Sequence, residues 1–170
     1  MRSGLRVIGI DPGLTRMGYG VVERERGRFV SIEHGVFRTS AGDPLEQRLA
    51  ALHTTILTFV RRHRPDAAAV ERVFFNANVR TAISVGQASG VALAALAEAG
   101  VEVAHYTPTE VKQSACGYGG ADKRQMGAMV ASLLGLESPP QPADAADACA
   151  LAICHLNRSG LSRRIKEALA

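Results

Sequence analysis

The chain has 170 residues, of which 46% are hydrophobic and 21% are charged. These proportions predict one globular domain with a sizeable core, and they exclude a disordered chain. The formal net charge of +4 is compatible with a polyanionic partner but does not require one. No apolar run is long enough to cross a bilayer, so we expect no membrane-spanning segment.

Three cysteines, Cys116, Cys149 and Cys154, form an odd and unpatterned set. Neither a disulfide framework nor a Cys-x-x-Cys metal site is indicated. Residues 1–11 predict a strand and lack the long apolar region of a signal peptide. We therefore expect a cytoplasmic protein with reduced thiols.

Three strands are predicted at the start of the chain. The apolar run 5–10 stops at Asp11-Pro12-Gly13, whose composition favours a tight turn. Strands over 18–23 and 28–38 follow, separated by a turn at 25–27. Such short connections favour antiparallel neighbours.

The first predicted helix begins at Asp43. Asp43 is a favoured N-cap residue, Pro44 suits the first turn, and Glu46 completes a capping-box pattern. Pro65 ends the helix. Its apolar stripe recurs at helical spacing and comprises Leu45, Leu49, Leu52, Ile56 and Phe59.

The remaining elements alternate between strands and helices. Residues 67–70 predict a buried strand that stops at Glu71, and 101–105 predict another strand. Gly100 closes the helix between them, and Thr107 with Glu110 begins a capped short helix. The predicted helices after the third strand are 43–64, 81–99, one starting at 107, 122–134 and 143–157.

This order predicts an α/β fold, a mixed five-stranded sheet with three antiparallel and then two parallel strands, flanked by helices. We expect a single domain over 1–158 and a basic C-terminal tail over 159–170. If the fourth strand pairs beside the first, Asp11 and Glu71 lie at the same edge of the sheet.

Each candidate acidic residue also has a structural explanation. Asp11 can simply form a turn, and Glu71 can be a surface charge. Asp144 can cap the last helix, and Asp147 can complement its dipole.

Other features favour a shared site for Asp11, Glu71, Asp144 and Asp147, termed the four carboxylates below. Asp144 and Asp147 are three residues apart, so a helix presents them on one side. They lie among alanines with no adjacent cation to pair with, and Glu71 follows a buried run that should hold it rigidly.

Carboxylates that converge repel one another unless cations neutralise them. Oxygen ligands without cysteine or paired histidine select Mg²⁺ or Mn²⁺. Two such ions form the clamp used for in-line phosphoryl displacement. The sequence contains no Walker loop, nucleophile elbow or dinucleotide fingerprint that would indicate other chemistry.

Four blocks of sequence resemble the RuvC family of Holliday-junction resolvases. They are GIDPG from Gly9, ERVFF from Glu71, GQA from Gly86 and ADAADA from Ala143. They run in order between about Val7 and His155, nearly the whole chain. Any one block is weak, but the four at these separations are highly specific.

The resemblance implies a ribonuclease-H-like fold, a homodimer, and paired symmetric nicks across a four-way DNA junction during recombination and repair. It also implies two Mg²⁺ ions per site, for which Mn²⁺ can substitute, and a branch-migration motor as partner. The four carboxylates fall on the family's catalytic, metal-binding acids. Lys112 and Lys123 match basic positions near the scissile strand, and Phe74 matches an aromatic that engages junction bases.

Two departures from the family pattern concern DNA contacts. Many relatives carry basic residues where this chain has Ala77 and Ser89. We expect Arg72 and Arg80 to supply part of the missing charge. Read from the residues alone, either of Phe74 and Phe75 can be a core residue, and Lys112 and Lys123 can be solvated charges.

Alternative functions are also considered. A sugar kinase or actin-like phosphotransferase also begins with a strand and Gly-Ile-Asp, but it needs two such domains. An RNA-processing nuclease of the same fold, or a non-catalytic junction-binding scaffold, stays open. The dimer interface is also open, since the small residues of helix 81–99 suit either close subunit approach or core packing.

Overall fold

The computed structural model describes residues 4–73 and 79–169, with side chains for 4–73 and 81–160. The strands are β1 (Leu5–Asp11), β2 (Arg16–Glu25), β3 (Arg28–Arg38), β4 (Ala67–Glu71) and β5 (Glu102–Tyr106). The helices are α1 (Leu45–His63), α2 (Val79–Glu98), α3 (Pro108–Cys116), α4 (Lys123–Leu134) and α5 (Ala143–Leu169).

The strands form one five-stranded sheet in the order β3-β2-β1-β4-β5. β2 pairs antiparallel with β1 and β3, whereas β4 pairs parallel with β1 and β5. The predicted mixed sheet is therefore confirmed. The assumed adjacency is confirmed too, since β1 and β4 are in register up to Ile10 and Val70.

Helices cover both faces of the sheet. Residues of α1 and α2 pack with Ile8, Ile10 and Val21 on one face. Residues of α3, α4 and α5 pack with Val7 and Val22 on the other. This division follows the alternation of side chains along β1 and β2, and both layers exclude water from the sheet.

Glycines in β1 and β2 allow α5 to lie directly on the sheet. A Cβ at Gly9 would overlap the carbonyl oxygen of Ala148, and one at Gly18 would overlap that of Asp144. These close approaches fix the position of the first turns of α5 against the carboxyl end of β1.

The caps of three helices test the sequence predictions. Thr107 and Glu110 form the predicted capping box of α3, and Asp122 forms one with Gln125 at α4. Asp43 is not the N-cap of α1, so that prediction is wrong. The cap is Pro44, whose carbonyl accepts hydrogen bonds from Gln47 and Arg48, and no side chain caps it.

Helix α5 continues to Leu169 instead of ending near residue 157. The sequence beyond 158 contains no proline and is rich in Arg, Ala and Leu, which favour helix. The predicted end of this helix near residue 157 is therefore wrong. The division into a domain over 1–158 and a basic tail over 159–170 stays a prediction.

All three cysteines are free, with Cys149 and Cys154 buried. In the described part of the chain, no helix is both long enough and apolar enough to cross a membrane.

Candidate active site

The carboxyl ends of β1 and β4 bring Asp11 and Glu71 together. Each residue ends its strand, and the preceding pair, Ile10 and Val70, is in register and fully buried. Asp11 and Glu71 are themselves only partly exposed. The backbone beneath these two carboxylates is therefore held by the sheet and by core packing.

The first turns of α5 bring Asp144 and Asp147 to the same place. Asp144 lies inside the helix, which begins at Ala143, rather than capping it. The four carboxylates line one open cavity of about 330 Å³. Its other lining residues are Pro108, Val111, Lys112, Lys123, Met126, Ala150 and Leu151.

Burial and mutual repulsion disturb the ionisation of the first two carboxylates. The pKa of Asp11 is raised from 3.8 to about 8, first by burial and then by the charges of Glu71, Asp147 and Asp144, while Lys123 lowers it. Burial, followed by the charge of Asp147, raises the pKa of Glu71. In the metal-free protein this part of the site therefore binds a proton readily.

The two carboxylates of α5 are each paired with a cation from another element, although the sequence places no cation beside them. Arg16 Nη2 of β2 lies 3.0 Å from Asp144 Oδ2, and Lys123 Nζ of α4 lies 3.5 Å from Asp147 Oδ2. Neither cation is near its partner in sequence, and the fold brings each from another element to α5. Among the described residues, no such ion pair is formed by Asp11 or Glu71.

One oxygen of the site lacks a hydrogen bond. Asp144 Oδ2 is buried and accepts none from the described residues, since Arg16 approaches at ion-pair distance but without hydrogen-bond geometry. A buried carboxylate oxygen in that state is costly unless a cation is close.

The donor chemistry at this site fits a hard divalent cation. All four acidic groups offer oxygen only, Asp144 Oδ2 is free to accept, and Asp11 holds a proton that a cation can displace. Within residues 4–73 and 79–169, no three acidic, histidine or cysteine side chains are arranged to hold one ion together.

Lys112 and Lys123 both line the cavity, as expected for residues near a scissile strand. Lys112 is on α3, and Lys123 is the first residue of α4. The side chain of Lys123 is 84% exposed, so it can contact an incoming phosphate. Their roles toward DNA stay predictions.

The other predicted DNA contacts are described only in part. Phe74, Phe75 and Ala77 lie outside the described residues. Arg80 lies in the first turn of α2, and its side chain is likewise outside them. Ser89 is described and is only 7% exposed, so its position in α2 faces the interior. That this position approaches DNA stays a prediction.

Sequence reasoning missed Arg16. Strand alternation puts it on the same face as Gly18, against which the Asp144 carbonyl packs. The predicted strand began only at residue 18, so Arg16 lay outside it, whereas β2 begins at Arg16. The position of α5 over β2, which brings Asp144 to Arg16, has no local signal in the sequence.

The chain matches known proteins over most of its length. Residues 7–155 match the family model "Crossover junction endodeoxyribonuclease RuvC". The RuvC of Chloroflexus aggregans is 52% identical over 164 residues, covering 93% of this chain and 100% of that protein. That of Salinispora arenicola is 54% identical over 165 residues, covering 96% and 94%.

Solved structures agree with these matches. Thermus thermophilus RuvC in complex with Holliday junction substrate is 38% identical, with a TM-score of 0.88 over 93% of this chain and 96% of that one. The yeast mitochondrial resolvase Ydc2 is 15% identical, with a TM-score of 0.68 over 90% and 78%, and so shares the fold. This is the ribonuclease-H-like fold of the resolvases. The chain therefore belongs to the RuvC family of crossover junction endodeoxyribonucleases.

Proposed function

We propose that this protein is a Holliday-junction resolvase, an endonuclease that makes paired, symmetric nicks in four-way DNA junctions during recombination and repair. One observation carries the proposal. Carboxylates from β1, β4 and α5 line one cavity in a chain that matches the RuvC family over residues 7–155.

Asp11, Glu71, Asp144 and Asp147 would hold two Mg²⁺ ions, with Mn²⁺ as a substitute. When bound, the ions supply charge stabilisation at the attacking and leaving oxygens of the phosphodiester. The carboxylates from the strands would provide a rigid base for the ions, and those on α5 would complete the ligand set from the same cavity.

The basic residues of the cavity would place the DNA backbone. Lys112 and Lys123 lie beside the acidic groups, where their charges offset repulsion between the carboxylates and a phosphate. Arg80 and Phe74 are also proposed to contact the junction DNA.

The substrate is proposed from the solved complex of the Thermus thermophilus relative with Holliday junction. We infer that selectivity comes from junction shape and from the spacing of two sites in a homodimer, since no base-reading motif is evident in the sequence. A branch-migration motor is proposed as a further partner.

Nick mapping tests this function. The protein is incubated with Mg²⁺ and a synthetic four-way junction, a linear duplex of the same sequence or a structured RNA. Paired nicks at symmetric positions of the junction alone are expected. The Asp11→Asn variant should bind the junction without cutting it, and Asp43→Asn, at an exposed residue outside the cavity, should cut normally.

Preferential cutting of the RNA would assign an RNA-processing nuclease instead. Tight junction binding by the unaltered protein without any metal-dependent nicking would assign a non-catalytic scaffold. Normal cutting by Asp11→Asn would remove Asp11 from the metal site.

A further inference from the structure

Arg16 stands at the edge of the carboxylate cavity without lining it. It is the first residue of β2, and its side chain is half exposed. Its guanidinium lies 3.0 Å from Asp144 Oδ2, the same oxygen that accepts no hydrogen bond. One carboxylate oxygen of the site is therefore neutralised only by a neighbouring arginine.

The neighbouring arginine of β3 gives a direct comparison. Arg38 pairs with Arg16 across β2 and β3 and is exposed. Like charges in directly opposed positions destabilise a sheet. The Asp144 carboxylate offsets this repulsion at Arg16. Among the described residues, no acidic side chain forms an ion pair with Arg38.

We propose that Arg16 is the resident counterion of Asp144, which it holds in the metal-free protein and releases when a divalent cation binds. This inference rests on the metal site of the proposed function. Arg16 thereby competes with the cation for Asp144 Oδ2 and lowers the affinity of the site for metal in the absence of DNA.

The properties of arginine suit this exchange. Its guanidinium keeps its charge at every relevant pH, so the pairing cannot be relieved by deprotonation. Because the side chain is half exposed, it can swing into solvent without opening the core. A DNA phosphate is the anion that would best receive it, since guanidinium and phosphate form paired hydrogen bonds.

Lys123 and Asp147 form a looser version of the same arrangement. Their atoms are 3.5 Å apart, and the Lys123 side chain is 84% exposed, compared with 50% for Arg16. Solvent weakens an exposed pair, so Arg16 is the stronger competitor for metal.

The test is a titration with Mn²⁺ in the absence of DNA. The electron paramagnetic resonance signal of free Mn²⁺ measures how much of the ion is bound. Arg16→Gln is expected to bind the first Mn²⁺ about three- to five-fold more tightly than the unaltered protein, the range of a partly exposed ion pair. Arg16→Lys keeps the charge and should stay close to the unaltered protein. Arg38→Gln removes the same charge one strand farther away and should change the affinity by less than about two-fold.

Thermal unfolding supplies a second readout. In EDTA, the melting temperature of Arg16→Gln should be lower than that of Arg38→Gln, because Asp144 loses its counterion only in the first variant. Saturating Mn²⁺ should remove that difference, since the cation then neutralises Asp144 in both. A difference that persists in Mn²⁺ would overturn the proposal in favour of an ordinary structural ion pair.

Equal or weaker Mn²⁺ binding by Arg16→Gln would also overturn it. If the unaltered protein binds Mn²⁺ and Arg16→Gln matches it, only the role of Arg16 fails. If the unaltered protein binds no Mn²⁺, the metal site of the proposed function fails, and this inference fails with it.

Discussion

The two sides of the carboxylate cavity differ in how they hold their charges. Asp11 and Glu71 end buried parallel strands and have raised pKa values, first because they are buried. Asp144 and Asp147 stand on a helix, each beside a cation from another element. On the strand side the raised pKa values favour the neutral carboxyl groups, and on the helix side ion pairs offset the negative charges.

This difference shows how four acidic groups coexist without a metal ion. The strand carboxylates are largely buried beside other acidic groups, so without a metal ion their protonated forms are favoured. The helix side can turn its carboxylates toward mobile cations. Metal binding would then displace a proton from one side and a cation from the other.

The largest expected effect comes from the strand side. Glu71→Gln removes a metal ligand from a rigid position, so junction nicking should fall by at least about a hundredfold. Gel assays of nicking and of junction binding measure it, and binding should persist because no basic residue is lost. The control, Glu46→Gln, changes an exposed residue of α1. Nicking by Glu71→Gln at the rate of that control would contradict a role for the strand side.

The next effect tests how the helix side is positioned. Gly18→Ala places a methyl group onto the Asp144 carbonyl, so α5 must shift. The free energy of unfolding should fall by about 1–3 kcal/mol, measured by urea denaturation, and nicking should fall with it. A Cβ at Gly42 would make only an ordinary van der Waals contact, 3.7 Å from Ser40 Oγ, so Gly42→Ala should change stability by less than about 0.5 kcal/mol. Unchanged stability and activity in Gly18→Ala would mean that this contact does not fix α5.

The raised pKa of Asp11 predicts that the stability of the metal-free protein depends on pH. Folding raises the pKa of Asp11 from 3.8 to about 8, so the folded state retains a proton that the unfolded state loses. The stability contributed by this group therefore falls as pH rises from about 4 to about 8. Asp11→Asn removes this pH-dependent loss of stability. In EDTA at pH 9, the variant should therefore have a higher melting temperature than the unaltered protein.

The same comparison at about pH 3 supplies the control, because there Asp11 is protonated in the folded state and largely so in the unfolded one. The melting temperatures of the two proteins should then converge. At pH 9, Mg²⁺ should raise the melting temperature of the unaltered protein more than that of the variant. A constant difference across the pH range would contradict a raised pKa at Asp11.

The smallest effect is expected at the exposed cation of the helix side. Lys123→Gln should weaken junction binding modestly and lower the slope of log affinity against log salt by about 1, as for the loss of one phosphate contact. Arg28→Gln, at the opposite end of β3 from Arg38, is the control and should leave the slope unchanged. An unchanged slope in Lys123→Gln would make Lys123 a counterion of Asp147 alone.

The sequence predicted much of the fold because its elements carry local signals. The alternation in β1 to β3, the capping box at Thr107 and Gly100 after α2 all depend on neighbours in the chain. The N-cap prediction at Asp43 depended on the general preference for aspartate at that position. In the structure the backbone N–H of Asp43 instead donates a hydrogen bond to the Ser40 carbonyl, in a turn before the helix. The extension of α5 was missed because a basic tail, and not helix, was expected over 159–170.

The site was predictable at the acidic residues and not at their surroundings. Asp144 and Asp147 share a helix face by spacing alone, but Asp11 and Glu71 meet only through the pairing of β1 with β4. The partnership of Arg16 with Asp144 depends on where α5 crosses β2, over a separation that no sequence motif spans. The buried orientation of Ser89 likewise depends on packing of α2 against the sheet.

The most direct test of the central claim is a crystal structure with Mn²⁺, using anomalous scattering to locate the ions. The four carboxylates should surround the Mn²⁺ positions, with oxygens from both the strand side and α5 as ligands and with Arg16 withdrawn from Asp144. Mn²⁺ bound elsewhere, or held without Asp11 and Glu71, would contradict a single metal site built from both sides of the cavity.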